Sequence, residues 1–184
     1  MNKNLTIARQ NGKIEYQTKR EGVSWMSRIC SFTGHRVINR DDFERLSSVL
    51  VTAIKYAYES GCREFYAGGA LGFDTIAARE VIRFRQTHRD VRLVLCLPCA
   101  DQSDKWSDND RGRYNYVLAE ADEVIYISES YTQNCMAERN FLLASKCDIL
   151  IAYCSRPKSG SGQTIRMADS MGKEIINLAK PTDG

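Results

Sequence analysis

Four short segments carry residue types that can grip an anion. Thr33-Gly34-His35-Arg36 offers a hydroxyl, an imidazole and a guanidinium around a glycine that permits a sharp turn. Arg36 can fork onto a phosphate or carboxylate; an acidic partner for Arg36 and a turn role for His35 explain the same residues equally well. Gly68-Gly69-Ala70-Leu71-Gly72-Phe73-Asp74 sets three glycines before a helix. Backbone N–H groups there can approach an anion, and the helix end adds partial positive charge. Asp74 either caps that helix or bonds a ribose hydroxyl. The segment is neither Gly-x-Gly-x-x-Gly nor a Walker loop, and a tight strand-to-helix turn is its plain alternative. Ser155-Arg156-Pro157-Lys158-Ser159-Gly160-Ser161-Gly162-Gln163-Thr164 again brings cations and glycines before a helix. A surface loop accounts for it alone, but two such loops in one chain strengthen each other. In Met136-Ala137-Glu138-Arg139-Asn140, Arg139 and Asn140 are adjacent and cannot share a helical face, so one of them points toward the strand ends.

The elements around these segments alternate. Ile29–Phe32, Glu64–Ala67, Arg92–Leu97, Glu123–Ile127, Asp148–Tyr153 and Glu174–Leu178 read as strands, the third stopped by Pro98. Helical spacing joins Phe43, Leu46, Leu50, Ala53, Ile54, Ala57 and Tyr58, with Asp41 or Asp42 as cap and Gly61 as stop. Further helices run from about 74 to 86, to about 121, from 132 to 146 and, after the 155–163 loop, to 171. Near-continuous Val/Ile/Leu strands between amphipathic helices predict an α/β, Rossmann-like fold, a mostly parallel sheet with helices on both faces. Such sheets bind ligands beyond the carboxyl ends of their strands, where the glycine segments fall. Residues 1–27 differ: two alternating stretches flank Asn11-Gly12, a turn dipeptide that suits a small β-hairpin extension to the domain at 28–184.

The chain has 184 residues, enough for one α/β domain, and its 26 basic and 23 acidic side chains give a net charge of +3. That balance argues against nucleic acid, which calls for a concentrated basic face. No apolar run approaches a membrane span, and the first ten residues do not form an apolar leader, so a cytoplasmic protein is expected. Seven irregularly spaced cysteines fit reduced, buried thiols. Cys96-Leu97-Pro98-Cys99 lacks two further ligands at suitable spacing for zinc, so neither metal nor cofactor is expected.

Taken together, Phe32-Thr33-Gly34-His35-Arg36, Gly68–Asp74, Met136-x-x-Arg139-Asn140 and Ser159–Thr164 resemble the YpsA-like branch of the SLOG superfamily over roughly 28–178. Pro98, Gln102, Trp106 and Ala121-Asp122 agree with it. The superfamily includes DprA and the Lonely Guy phosphoribohydrolases, so the resemblance implies a nucleotide-type ligand at the strand ends without naming it; the first expectation is a non-catalytic pocket for a ligand related to NAD or ADP-ribose, acting in sensing or sequestration. Ligand contacts are expected from Thr33, Gly34, His35, Arg36, Gly68, Gly69, Ala70, Phe73, Asp74, Arg139, Asn140, Ser159, Gly160, Gly162 and Thr164, with Trp106 or Tyr131 covering a base or ribose through an aromatic face. The Lonely Guy pattern ends in a catalytic glutamate; here Arg166 and Met167 occupy that region. Hydrolysis of an N-glycosidic bond, with Glu80 or Glu138 as substitute, and DprA-like DNA binding are the alternatives. A homo-oligomer is also expected, from the superfamily and the apolar run Phe141-Leu142-Leu143-Ala144, which suits a core equally well.

Overall fold

The computed structural model describes residues 8–10, 13–15 and 27–180. Two three-residue strands, β1 (Ala8–Gln10) and β2 (Lys13–Glu15), pair antiparallel with Ala8 opposite Glu15. The expected Asn11-Gly12 turn lies outside the described residues.

Six further strands form one parallel sheet: β3 (Arg28–Gly34), β4 (Cys62–Ala67), β5 (Arg92–Cys99), β6 (Glu123–Ser128), β7 (Ile149–Tyr153) and β8 (Glu174–Asn177). Their spatial order is β6-β5-β4-β3-β7-β8. The strands between the edges are apolar on both faces because helices cover both. Phe32, Phe65, Leu95 and Ile151 share a core with Leu50 of α1 (Phe43–Glu59), Ala77 of α2 (Phe73–Arg85) and Val117 of α3 (Asp108–Glu120). Their alternates face the other way: Val94 and Cys96 pack on Leu142 and Leu143 of α4 (Cys135–Lys146), and Leu150 on Ala144 and on Ala168 of α5 (Gly160–Ser170). The arrangement is the expected Rossmann-like α/β fold. Three crossovers carry the chain outward from β3 to β6; it then returns to β7 on the far side of β3, so strand order reverses between β3 and β7.

Three details differ from the sequence expectation. Pro98 does not end its strand: β5 runs on to Cys99, which pairs with Ser128. Pairing of β5 with β4 finishes at Leu95, so on that side the missing proline N–H faces no ladder partner. Helix α4 starts at Cys135 instead of 132, after Thr132 Oγ1 accepts from the Cys135 amide at 3.1 Å. Helix α5 starts at Gly160, so Gly160 and Gly162 form its first turn instead of a preceding loop; Ser159 caps it, its Oγ accepting from the Gly162 amide at 3.1 Å. In the run 141–144, Leu142, Leu143 and Ala144 are core, and Phe141 alone is exposed. All seven cysteines are unpaired and buried, and burial pushes the Cys96 thiol up to about 12. Among the described residues no helix is long and apolar enough to cross a membrane.

Gly34 ends β3 against the fully buried Phe73, and a Cβ there would lie 2.5 Å from Phe73 Cβ. Gly34→Ala is therefore expected to cost about 1–3 kcal/mol through overpacking, read as a lower urea midpoint with unchanged slope.

Candidate functional site

The end of β3, the turn into α2, the second turn of α4 and the start of α5 converge on a cleft of about 360 Å³. It opens where strand order reverses, the position such sheets give to ligands. Thr33, Gly34, His35, Arg36 and Val37 line it from β3 and the following loop. Ala70 and Asp74 come from the glycine turn, and Met136, Arg139 and Asn140 from α4. Arg156, Ser159, Gly160 and Ser161 close the last side.

Its floor is an ion pair. Arg139 Nη1 donates to Asp74 Oδ2 at 3.1 Å, with Arg139 8% and Asp74 3% exposed. Burial raises the Asp74 carboxyl from its usual range, opposed by Arg139, a bond from the Ala70 backbone and the charge of Arg36. A methyl group at Gly68 would overlap Arg139 Nη1, so this glycine is the gap through which the guanidinium reaches Asp74. Among the described residues Arg139 Nε is enclosed without a partner, and the ion pair engages Nη1.

His35 forms the seam between two loops. Its ring Nε2 accepts from the Ser155 amide at 2.9 Å, its own amide donates to Tyr153 O at 3.1 Å, and its carbonyl accepts from Phe73 N at 3.1 Å. Burial first, and then the charge of Arg156, lowers its pKa from 6.5.

Seven of the sequence-expected residues are not on the cleft wall. Gly68 and Gly69 frame the ion pair and the Leu97–Gln102 packing, and Phe73 is core beneath Gly34. Trp106 packs edge-on against Tyr114, with centroids 5.4 Å apart. Tyr131 is 64% exposed, its amide on Asp101. Gly162 lies tight on the Pro157 backbone, and Thr164 Oγ1 donates to Gly160 O at 3.0 Å. Among the described residues no Phe, Tyr or Trp lines the cleft, and its apolar lining side chains include Val37 and Met136. Arg156 and Ser161 were also absent from the expected contacts, although Arg156 follows β7 closely enough for the strand-end rule to find it. Val37 carries no such signal.

Neither expected substitute carboxylate is at the cleft. Glu80 pairs with Arg83 at 2.7 Å on α2, and Glu138 is exposed on α4. On α5, Arg166 bonds Pro157 O and Met167 packs with the α4–α5 core. Among the described residues Asp74 is the only carboxylate on the wall.

The YpsA family model, described as the YspA SLOG family, matches residues 34–174. UPF0398 protein BH1768 of Halalkalibacterium halodurans is 31% identical over 121 residues, covering 60% of this chain and 64% of that protein. The chain thus spans less than two thirds of that relative's length. DNA processing protein A of Helicobacter pylori, described as binding single-stranded DNA, superposes with a TM-score of 0.61 at 18% identity, over 85% of this chain and 67% of its own. The Streptococcus pneumoniae protein DprA gives 0.58 at 17% identity, over 80% and 49%. At such identities these two likenesses establish the fold.

Two expected outcomes follow from the floor and the seam. Arg139→Ala strands the Asp74 charge in the interior and should cost about 3–5 kcal/mol of stability, read by urea unfolding. For His35, the folded pKa lies below the unfolded 6.5, so the folded state holds fewer protons between the two values. Its stabilisation is complete above that window and falls away as pH drops from 6.5 toward the folded value. Wild type should lose stability relative to His35→Gln across that range; parallel pH curves for the two would show that His35 titrates alike in both states.

Proposed function

Because the chain belongs to the YspA SLOG family, we propose that its strand-end cleft binds a small nucleotide-derived ligand, of the NAD or ADP-ribose class, as a sensor or sequestering protein of the cytoplasm. One observation carries this: among the described residues the cleft holds three arginines and a single carboxylate, and that carboxylate is already committed to one of the arginines. Arg36 and Arg156 form no ion pair among the described residues. The α5 N-terminus adds its partial charge beside them. A cleft of about 360 Å³ is at the small end for ligand pockets, which run from roughly 300 Å³ upward; it suits a nucleotide-sized molecule. Seven unpaired cysteines accord with a reducing compartment.

Hydrolysis of an N-glycosidic bond finds less support. General acid–base work needs a carboxyl free to exchange a proton with the reacting group, and Asp74 is buried and bonded to Arg139. The near-neutral charge does not exclude nucleic acid, since a protein of the same fold is described as binding single-stranded DNA. An oligonucleotide therefore belongs in the test.

Calorimetry of the full chain with AMP, NAD, ADP-ribose and a single-stranded oligonucleotide should show saturable binding of at least one small ligand. Arg156→Ala should weaken it by about 1.5–3 kcal/mol, the range for a hydrogen bond to a charged group, without moving the melting temperature. Binding of the oligonucleotide alone overturns the proposal, and free base released over many turnovers replaces it with a hydrolase.

A further inference from the structure

His35 has four polar atoms, and the protein uses three. The amide donates to Tyr153 O, the carbonyl accepts from Phe73 N, and ring Nε2 accepts from Ser155 N at 2.9 Å. A backbone N–H can only donate, so Nε2 carries no hydrogen. A neutral imidazole then carries its one proton on Nδ1, as a donor. Among the described residues Nδ1 has no partner, and it is not one of the enclosed unpaired atoms, Ser31 Oγ, Gln102 Nε2 and Arg139 Nε. His35 is only 6% exposed, yet it lines the cleft. A rigid ring, held by backbone at both ends and by Ser155 at one nitrogen, thus has one N–H left to offer.

We infer that His35 is a specificity-determining residue: its Nδ1–H is a fixed, uncharged donor to an oxygen acceptor of the ligand, a ribose hydroxyl or a base carbonyl. This rests on the proposed nucleotide-binding role of the cleft. The arginines supply charge and attract any phosphate; an uncharged donor in one fixed direction separates ligands of equal charge. Neutrality is built in, since a second proton on Nε2 would break the Ser155 bond and stand in the field of Arg156. Ser155 is the residue before Arg156, so the same bond positions the loop that brings that cation to the cleft.

Two amide variants separate the two nitrogens. In His35→Gln the side-chain oxygen reaches the Nε2 position and keeps the Ser155 acceptor, but nothing donates from the Nδ1 position. In His35→Asn the shorter amide places an N–H near Nδ1 and gives up the Ser155 acceptor. Nitrogen–proton correlation spectra of the unliganded protein at pH 7.5 should show His35 with its proton on Nδ1; a proton on Nε2 overturns the inference whatever the ligand proves to be. With ADP-ribose as probe, His35→Gln should melt as wild type does and bind about five-fold or more weakly, the loss expected of one hydrogen bond. His35→Asn should melt lower while keeping more of the affinity than His35→Gln does. Equal affinity of wild type and His35→Gln overturns the donor role alone. Failure of wild type to bind ADP-ribose, AMP or NAD overturns the nucleotide-binding role and the donor role with it.

Discussion

The Arg139–Asp74 ion pair is the one contact on which the cleft depends. Asp74 opens α2 on one face of the sheet, and Arg139 projects from α4 on the other. The sheet separates these two helix layers over most of its area, and the pair joins them across the end of β4. Burying both charges is costly, because each gives up its hydration and only good geometry returns it. Gly68 supplies that geometry by leaving room for the guanidinium. A hydrophobic bridge of similar volume would hold the layers as well and would leave no charge at the floor. A guanidinium at the floor, lining the cleft, is what an ion pair provides and an apolar contact does not.

This arrangement explains why the glycine segment resembles a phosphate loop without being built like one. In a phosphate loop, glycines let backbone N–H groups approach the anion. Here Gly68 makes way for a side chain of the protein itself, and Gly69 and Gly72 take positive φ values to turn the chain into α2. The N-terminus of α5 faces the cleft as well, capped by Ser159 with Gly160 and Ser161 on the wall. Glycine density alone cannot distinguish a gap for a ligand from a gap for an arginine, since both need only a missing Cβ.

Most of the sheet was legible in the sequence, because parallel strands buried on both faces give continuous apolar runs such as Leu93–Leu97 and Ile149–Tyr153. The convergence of Thr33, His35, Arg36, Arg139 and Ser159 on one edge follows from the same topology, in which every carboxyl end points one way. Element starts were less legible. Gly160 and Gly162 are poor helix residues in isolation, and α5 begins there because the Ser159 cap and the Thr164–Gly160 bond hold its first turn. Pro98 reads as a stop only if both neighbours of β5 are assumed to extend past it. Trp106 and Tyr131 had the right chemistry for stacking on a base, but nothing in their spacing told that one would pack on Tyr114 and the other would sit on the loop after β6.

The cleft that results has an uneven distribution of freedom. Its floor and seam are fixed: Arg139 is paired, and His35 is tied at its amide, its carbonyl and Nε2. Its rim is not, for Arg36, Val37 and Arg156 are exposed. Long cationic side chains at a rim lose rotamer entropy when they close on an anion, and that loss offsets part of the charge attraction. A buried, pre-positioned donor has no such loss to make. In the proposed ligand-binding role, discrimination between ligands of like charge would therefore fall to the floor and seam, while the rim arginines would set how strongly any anion is drawn in. Fixed and exposed groups adjoin in one tetrapeptide: Gly34 and His35 lock against Phe73, Tyr153 and Ser155, and Arg36, the next residue, is exposed to solvent.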